Sequence, residues 1–107
     1  MNVKTNHSIQ CTVALALLQE VIDPELGLNV VDLGLIYELN FYEEEKKLDV
    51  LMTLSTRFCP MGQSIQDSVK TQLENNFPGY TVNVQLTFDP PWSYERISME
   101  GRNFLNA

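Results

Sequence analysis

A chain of 107 residues, 44% apolar and 20% charged, has the make-up of one ordinary globular domain spanning residues 1–107, able to bury roughly two-thirds of its unfolded surface. Its 14 acidic and 7 basic residues leave a net charge of −7, which argues against nucleic-acid binding and against anionic membranes, because both require a positive surface. No stretch approaches the ~20 apolar residues that span a bilayer, and the polar segment Met1–Gln10 lacks the charged-then-apolar order of a signal peptide. With two cysteines and no secretion signal, the expected compartment is the reducing cytoplasm, with both thiols free.

Residues Ser8 to Ile22 read as a helix whose apolar face carries Val13, Ala14, Leu17, Leu18 and Val21. Cys11 falls at the edge of that face and is read as packing. His7, the only histidine, sits at the start of the segment and is read as solvated. Pro24 ends the helix, since the residue before a proline is pushed out of the α region. In Asp23-Pro24-Glu25-Leu26-Gly27, Asp23 can cap the turn through its side chain. The same two carboxylates, Asp23 and Glu25, can alternatively face a reactive group, and spacing alone does not choose. Asn29 to Gly34 is a second turn, with Asp32 as its expected cap and Gly34 as a breaker.

From Leu35 the period changes to two. Leu35, Tyr37, Leu39 and Phe41 are expected inward, then a charged tip Glu43–Lys47, then Leu48, Val50, Met52 and Leu54. A helical pattern follows at once, with Met61, Ile65, Val69, Leu73 and Phe77 spaced by four. Pro60 suits the first helical position, which predicts a helix over Pro60–Asn76 closed by Pro78-Gly79. Cys59 then stands beside the N-cap, where unpaired amides and the macrodipole favour an anion. A thiol there ionises more readily than a free one, and the thiolate is the metal-binding form. Burial as a small hydrophobe is the competing reading of Cys59.

Tyr80 to Phe88 alternates as a strand. Asp89-Pro90-Pro91-Trp92 is a stiff extended segment in which Trp92 either lids the core or forms a partner surface. Ser93 and Ser98 can each start a short helix, the second covering Met99 to Leu105. The fold class expected is α+β: a two-layer sandwich in the order α-β-β-α-β plus a C-terminal tail. It has a small three-stranded mixed sheet with two helices on one face. The other sheet face, or an uncovered edge strand, offers a surface for a homodimer.

Three stretches together carry a resemblance. Val21 to Tyr37, including Asp23-Pro24-Glu25 and Val31-Asp32-Leu33-Gly34, resembles the opening motif of the metal–sulfur cluster assembly factor family. That family includes SufT-like and PaaD-like proteins and the cytosolic iron–sulfur targeting factors. Met52 to Thr56 followed by Cys59-Pro60-Met61 resembles its second motif, and Asp89 to Trp92 its third. The resemblance implies the iron–sulfur assembly scaffold-domain fold. It implies that Cys59 is the functional thiol, with Asp23, Glu25, Ser55 and Thr56 as supporting residues. The family usually has Thr-Thr-Pro-Gly ahead of Cys-Pro, whereas this chain has Ser55-Thr56-Arg57-Phe58.

The function so implied is maturation of iron–sulfur proteins, as an adaptor or transient carrier rather than an enzyme. Partners would be iron–sulfur assembly proteins or apo-client proteins. Clusters are commonly held by four cysteines, so no stably bound cofactor is expected. A transient iron–sulfur cluster or iron would be held by Cys59, shared across a dimer. One alternative is a non-catalytic interaction subunit of a larger metalloenzyme complex, docking through Trp92. Another is a cysteine-nucleophile enzyme, which would want a histidine base and has only His7.

Overall fold

The computed structural model describes residues 3–6, 8–55 and 62–106. Its centre is the antiparallel pair β2 (Ile36–Tyr42) and β3 (Lys47–Met52), joined at the charged tip, where Lys46 takes a positive φ of 51°. The register sets Leu39 opposite Val50 and Phe41 opposite Leu48, so the apolar member of each alternating pair falls on one face. β4 (Thr81–Leu86) runs parallel to β3, with Leu48 beside Val82 and Val50 beside Val84. A fourth strand, β1 (Lys4–Thr5), pairs parallel to β2, giving the order β1-β2-β3-β4. The sheet therefore has four strands where periodicity predicts three. Two residues are too few to show an alternation, and β1 exists through its partner. Asn6 extends the pairing with its side chain, donating to the Phe41 carbonyl and accepting from the Phe41 N–H, each at 2.8 Å.

One irregularity shapes β2. A register shift between Ile36 and Glu38 buries the neighbours Ile36 and Tyr37 together, where strict alternation would bury only one.

Two helices cover the apolar face. In α1 (Ser8–Leu18) the buried residues are Cys11, Ala14 and Leu18, and in α2 (Gly62–Asn76) they are Gly62, Ile65, Val69 and Leu73. All of these but Gly62 join Leu39, Phe41, Leu48, Val50 and Val82 in one core. Each fully buried Leu or Ile contributes ~1.5–3 kcal/mol. α1 stops four residues before the expected Ile22. Its last turn tightens, with Glu20 N–H bonding to Leu17 and Val21 N–H to Leu18, as helix ends commonly do. Val21 and Ile22 then leave the helix to pair with Val30 and Asn29. Val13, expected inward, is exposed. Gln72 of α2 donates to the Leu17 carbonyl at 3.0 Å and so satisfies part of the end of α1.

The tail is more ordered than irregular. A 3-10 turn at Tyr94–Arg96 leads into a third helix, α3 (Met99–Leu105), whose N-cap Ser98 accepts from Gly101 N–H. The architecture is thus four strands with three helices, correcting the two-helix expectation while matching the short helix predicted over Met99–Leu105.

Candidate functional site

The turn after α1 is built around one carboxylate. Asp23 is 1% exposed, and its Oδ1 accepts the Glu25 N–H at 2.8 Å and the Leu26 N–H at 3.4 Å. Its own backbone joins in, the N–H donating to Leu28 and the carbonyl accepting from Gly27, which takes φ +73°. An aspartate suits this role because its short side chain reaches amides two and three residues on. Glu25 is exposed. Asp23→Ala orphans the two amides and is expected to cost about 1–3 kcal/mol. Asp23→Asn, which keeps the acceptor oxygen, should lose less. Urea midpoints at unchanged slope measure both.

The next turn is capped by Asn29, not by the expected Asp32. Asn29 Oδ1 accepts from the N–H groups of Val31 and Asp32. Asp32 is used over a longer range: Oδ2 accepts from Asn29 Nδ2 at 2.7 Å, Oδ1 from the Ser98 hydroxyl at 2.8 Å, and its carbonyl from the Ser98 N–H at 2.8 Å. The spacing Asn-x-x-Asp was a local signal for the Asn29 cap. Nothing local to Asp32 announces a partner 66 residues away.

These contacts bring the three family-like stretches together. Trp92 is half-buried and its indole N–H donates to the Leu33 carbonyl at 2.7 Å. The Tyr37 hydroxyl donates to the Pro90 carbonyl at 2.8 Å, and the Arg96 guanidinium lies 4.2 Å from the centre of the Tyr37 ring. Thr53, fully buried, donates its N–H to Leu35, and Thr87 N–H reaches Met52. First, second and third stretches therefore meet at one end of the sheet.

Ser55 follows the β3 run and Gly62 opens α2. Ser55 is half-buried. Gly62 opens α2 so close to Leu54 that a Cβ there would lie 2.6 Å from Leu54 Cδ1. A side chain at residue 62 would have to displace the tip of Leu54, so glycine lets the end of the β3 run pack against the start of the helix. A groove of about 760 Å³ runs between the α1 end, at Glu20 and Ile22, and the first half of α2, at Gln63, Asp67 and Thr71. Thr56, Arg57, Phe58, Cys59, Pro60 and Met61 lie outside the described residues, as does His7. Cys11 is described: it is buried, with its Sγ 3.6 Å from the Leu39 carbonyl oxygen, in keeping with a packing role. Among the described residues no three His, Cys, Asp or Glu side chains gather as metal ligands, and no helix is long and apolar enough to cross a membrane.

Comparison with known proteins places this geometry. Residues 12–86 match the family model described as iron–sulfur cluster assembly protein. The chain is 42% identical over 78 residues to the Fe-S protein maturation auxiliary factor SufT of Staphylococcus aureus, covering 73% of this chain and 88% of that protein. It is 35% identical over 81 residues to the Fe-S protein maturation auxiliary factor YitW of Bacillus subtilis, covering 76% and 78%. Among solved structures, a domain of unknown function, DUF59, from Bacillus anthracis superposes with a TM-score of 0.83 at 36% identity, covering 89% of this chain and 90% of the other. The match runs through the Asp23 turn, the Gly34 turn and the strand-to-helix passage alike, and the chain belongs to the iron–sulfur cluster assembly protein family.

Proposed function

We propose that the protein serves the maturation of iron–sulfur proteins as an adaptor or transient carrier, with the Cys59 thiolate as its soft ligand. The observation that carries this reading is the family match over residues 12–86, with relatives named Fe-S protein maturation auxiliary factors. The chemistry agrees. Iron and sulfide sites are built from thiolates, and the other cysteine, Cys11, is committed to the core. One chain then offers one thiol, so an iron–sulfur cargo would complete its shell from a second copy, a client or a small thiol. Such sharing favours transfer over storage. Asp23 serves the reading by fixing the turn that flanks the groove, Glu25 by projecting from it, and Ser55 and Thr56 by leading into the thiol. The partners are iron–sulfur assembly proteins and apo-clients in the cytoplasm, met without turnover of a substrate.

The test compares wild type and Cys59→Ser in anaerobic reconstitution with iron and sulfide, followed by transfer to an apo-client. Visible absorption and client activation are expected for wild type, and at least a tenfold loss of both is expected for the folded variant. A variant that matures clients as well as wild type removes the thiol from the mechanism. If Trp92→Ala then fails while remaining folded, the protein is a docking subunit instead.

A further inference from the structure

β4 is the last strand of the sheet, and its outer edge is paired with no other strand among the described residues. In its parallel pairing with β3, Thr81 and Thr87 donate inward to Lys46 and Met52. Hydrogen-bonding direction alternates along a strand, so the N–H and C=O groups of Val82, Val84 and Leu86 face outward. On that side the Gln66 amide donates to the Val84 carbonyl at 3.1 Å. A carbonyl has two lone pairs and accepts a second donor. A groove of about 330 Å³ between α2 and β4 flanks the edge.

Exposed edges are normally blunted by charge, by proline or by a cover. This one carries no charged residue and no proline from Thr81 to Phe88. We infer that β4 is a homodimer interface, pairing antiparallel with β4 of a second copy about a two-fold axis through Val84. That axis is the one that matches outward-facing groups: Val84 exchanges both hydrogen bonds with the partner's Val84, and Val82 does so with the partner's Leu86.

The side chains agree with this register. Leu86 is exposed at 37%, while Val82 is buried on the helix-covered face. The pairing sets Leu86 beside the partner's Val82 on that face and closes it. On the other face Asn83 meets the partner's Gln85, and Thr81 meets the partner's Thr87. Every cross-strand pair is neutral, which matters for two chains that each carry a net charge of −7. A partner of other sequence would need only a free strand, whereas this edge is complementary to itself. Two four-stranded sheets become one of eight strands. α2 runs antiparallel to β4, so the two α2 N-termini point to opposite ends, and the pairing stands independently of any role for Cys59.

Sedimentation equilibrium on the full chain tests the interface. Wild type is expected to dimerise, with amide protection of Val82, Val84 and Leu86 rising with concentration. Asn83→Lys with Gln85→Lys sets like charges opposite each other twice and should weaken the dimer roughly tenfold or more. Asn83→Lys with Gln85→Glu sets opposite charges there and should restore it, while Cys59→Ser should leave it unchanged. Both double variants lose the same Asn83 amide, so a folding defect common to them is visible by circular dichroism. A chain that stays monomeric at millimolar concentration overturns the inference. So does a dimer equally stable in both double variants, since it must form elsewhere.

Discussion

Gly34→Ala is expected to destabilise the domain by about 2–5 kcal/mol, a large share of the roughly 5–15 kcal/mol available to a protein of this kind. Two effects add. The residue sits at φ +77°, where an L side chain costs ~1–2 kcal/mol. A Cβ would also fall on the Arg96 carbonyl oxygen and within 2.7 Å of Arg96 Cβ, and forcing such an approach costs ~1–3 kcal/mol. Backbone cannot swing aside as a flexible side chain can. Relief would push the Tyr94–Arg96 turn away, taking Arg96 off the Tyr37 ring. Gly79→Ala is the control, because it shares a positive φ of 87° yet has open space around it. It should lose only the conformational part. Denaturant titration of both variants at constant slope reads the difference, and equal losses would refute the contact with Arg96.

Phe41→Ala should cost more than most core truncations, about 3–5 kcal/mol. The ring is 1% exposed and is the largest fully buried side chain among the described residues. It meets Phe77 at 5.1 Å and Tyr80 at 5.8 Å, both edge-to-face. Phe77 and Tyr80 bracket the turn that closes α2, so the lost ring would loosen the hinge between helix and β4 as well as leave a void. A double-mutant cycle with Phe77→Leu isolates the ring–ring contribution, expected at about 0.5–1.5 kcal/mol. Additive losses would show that area burial alone accounts for the cost.

Much of this fold is legible in the sequence. The four-residue spacing of Ile65, Val69 and Leu73 and the alternation through Leu48, Val50 and Met52 each carry their burial in local pattern. The same holds for Asp23, whose turn-capping role needs only its neighbours. What local pattern could not carry is long-range. β1 is defined by Glu38 and Leu39 far along the chain. Asp32 looks like an ordinary cap until Ser98 arrives, and Tyr37 and Trp92 look like core aromatics until their polar tips find Pro90 and Leu33. The bulge at Ile36 broke a period that was otherwise correct. For the candidate site, the resemblance points to Cys59, which lies outside the described residues, and to its flanking stretches. The frame comes from the fold: described parts of three separated stretches converge, and Leu54 is held against Gly62.

α1 has a property with wider reach. Its eleven residues include no charged side chain, with no acid in the first turn and no base in the last. A peptide this short does not hold a helix in water by itself, since isolated helices below ~12–15 residues are marginal even with favourable sequences. Its coiling is therefore lent by the sheet beneath it and by Gln72 at its end. Secondary structure here and closure of the interior are one event, and neither precedes the other.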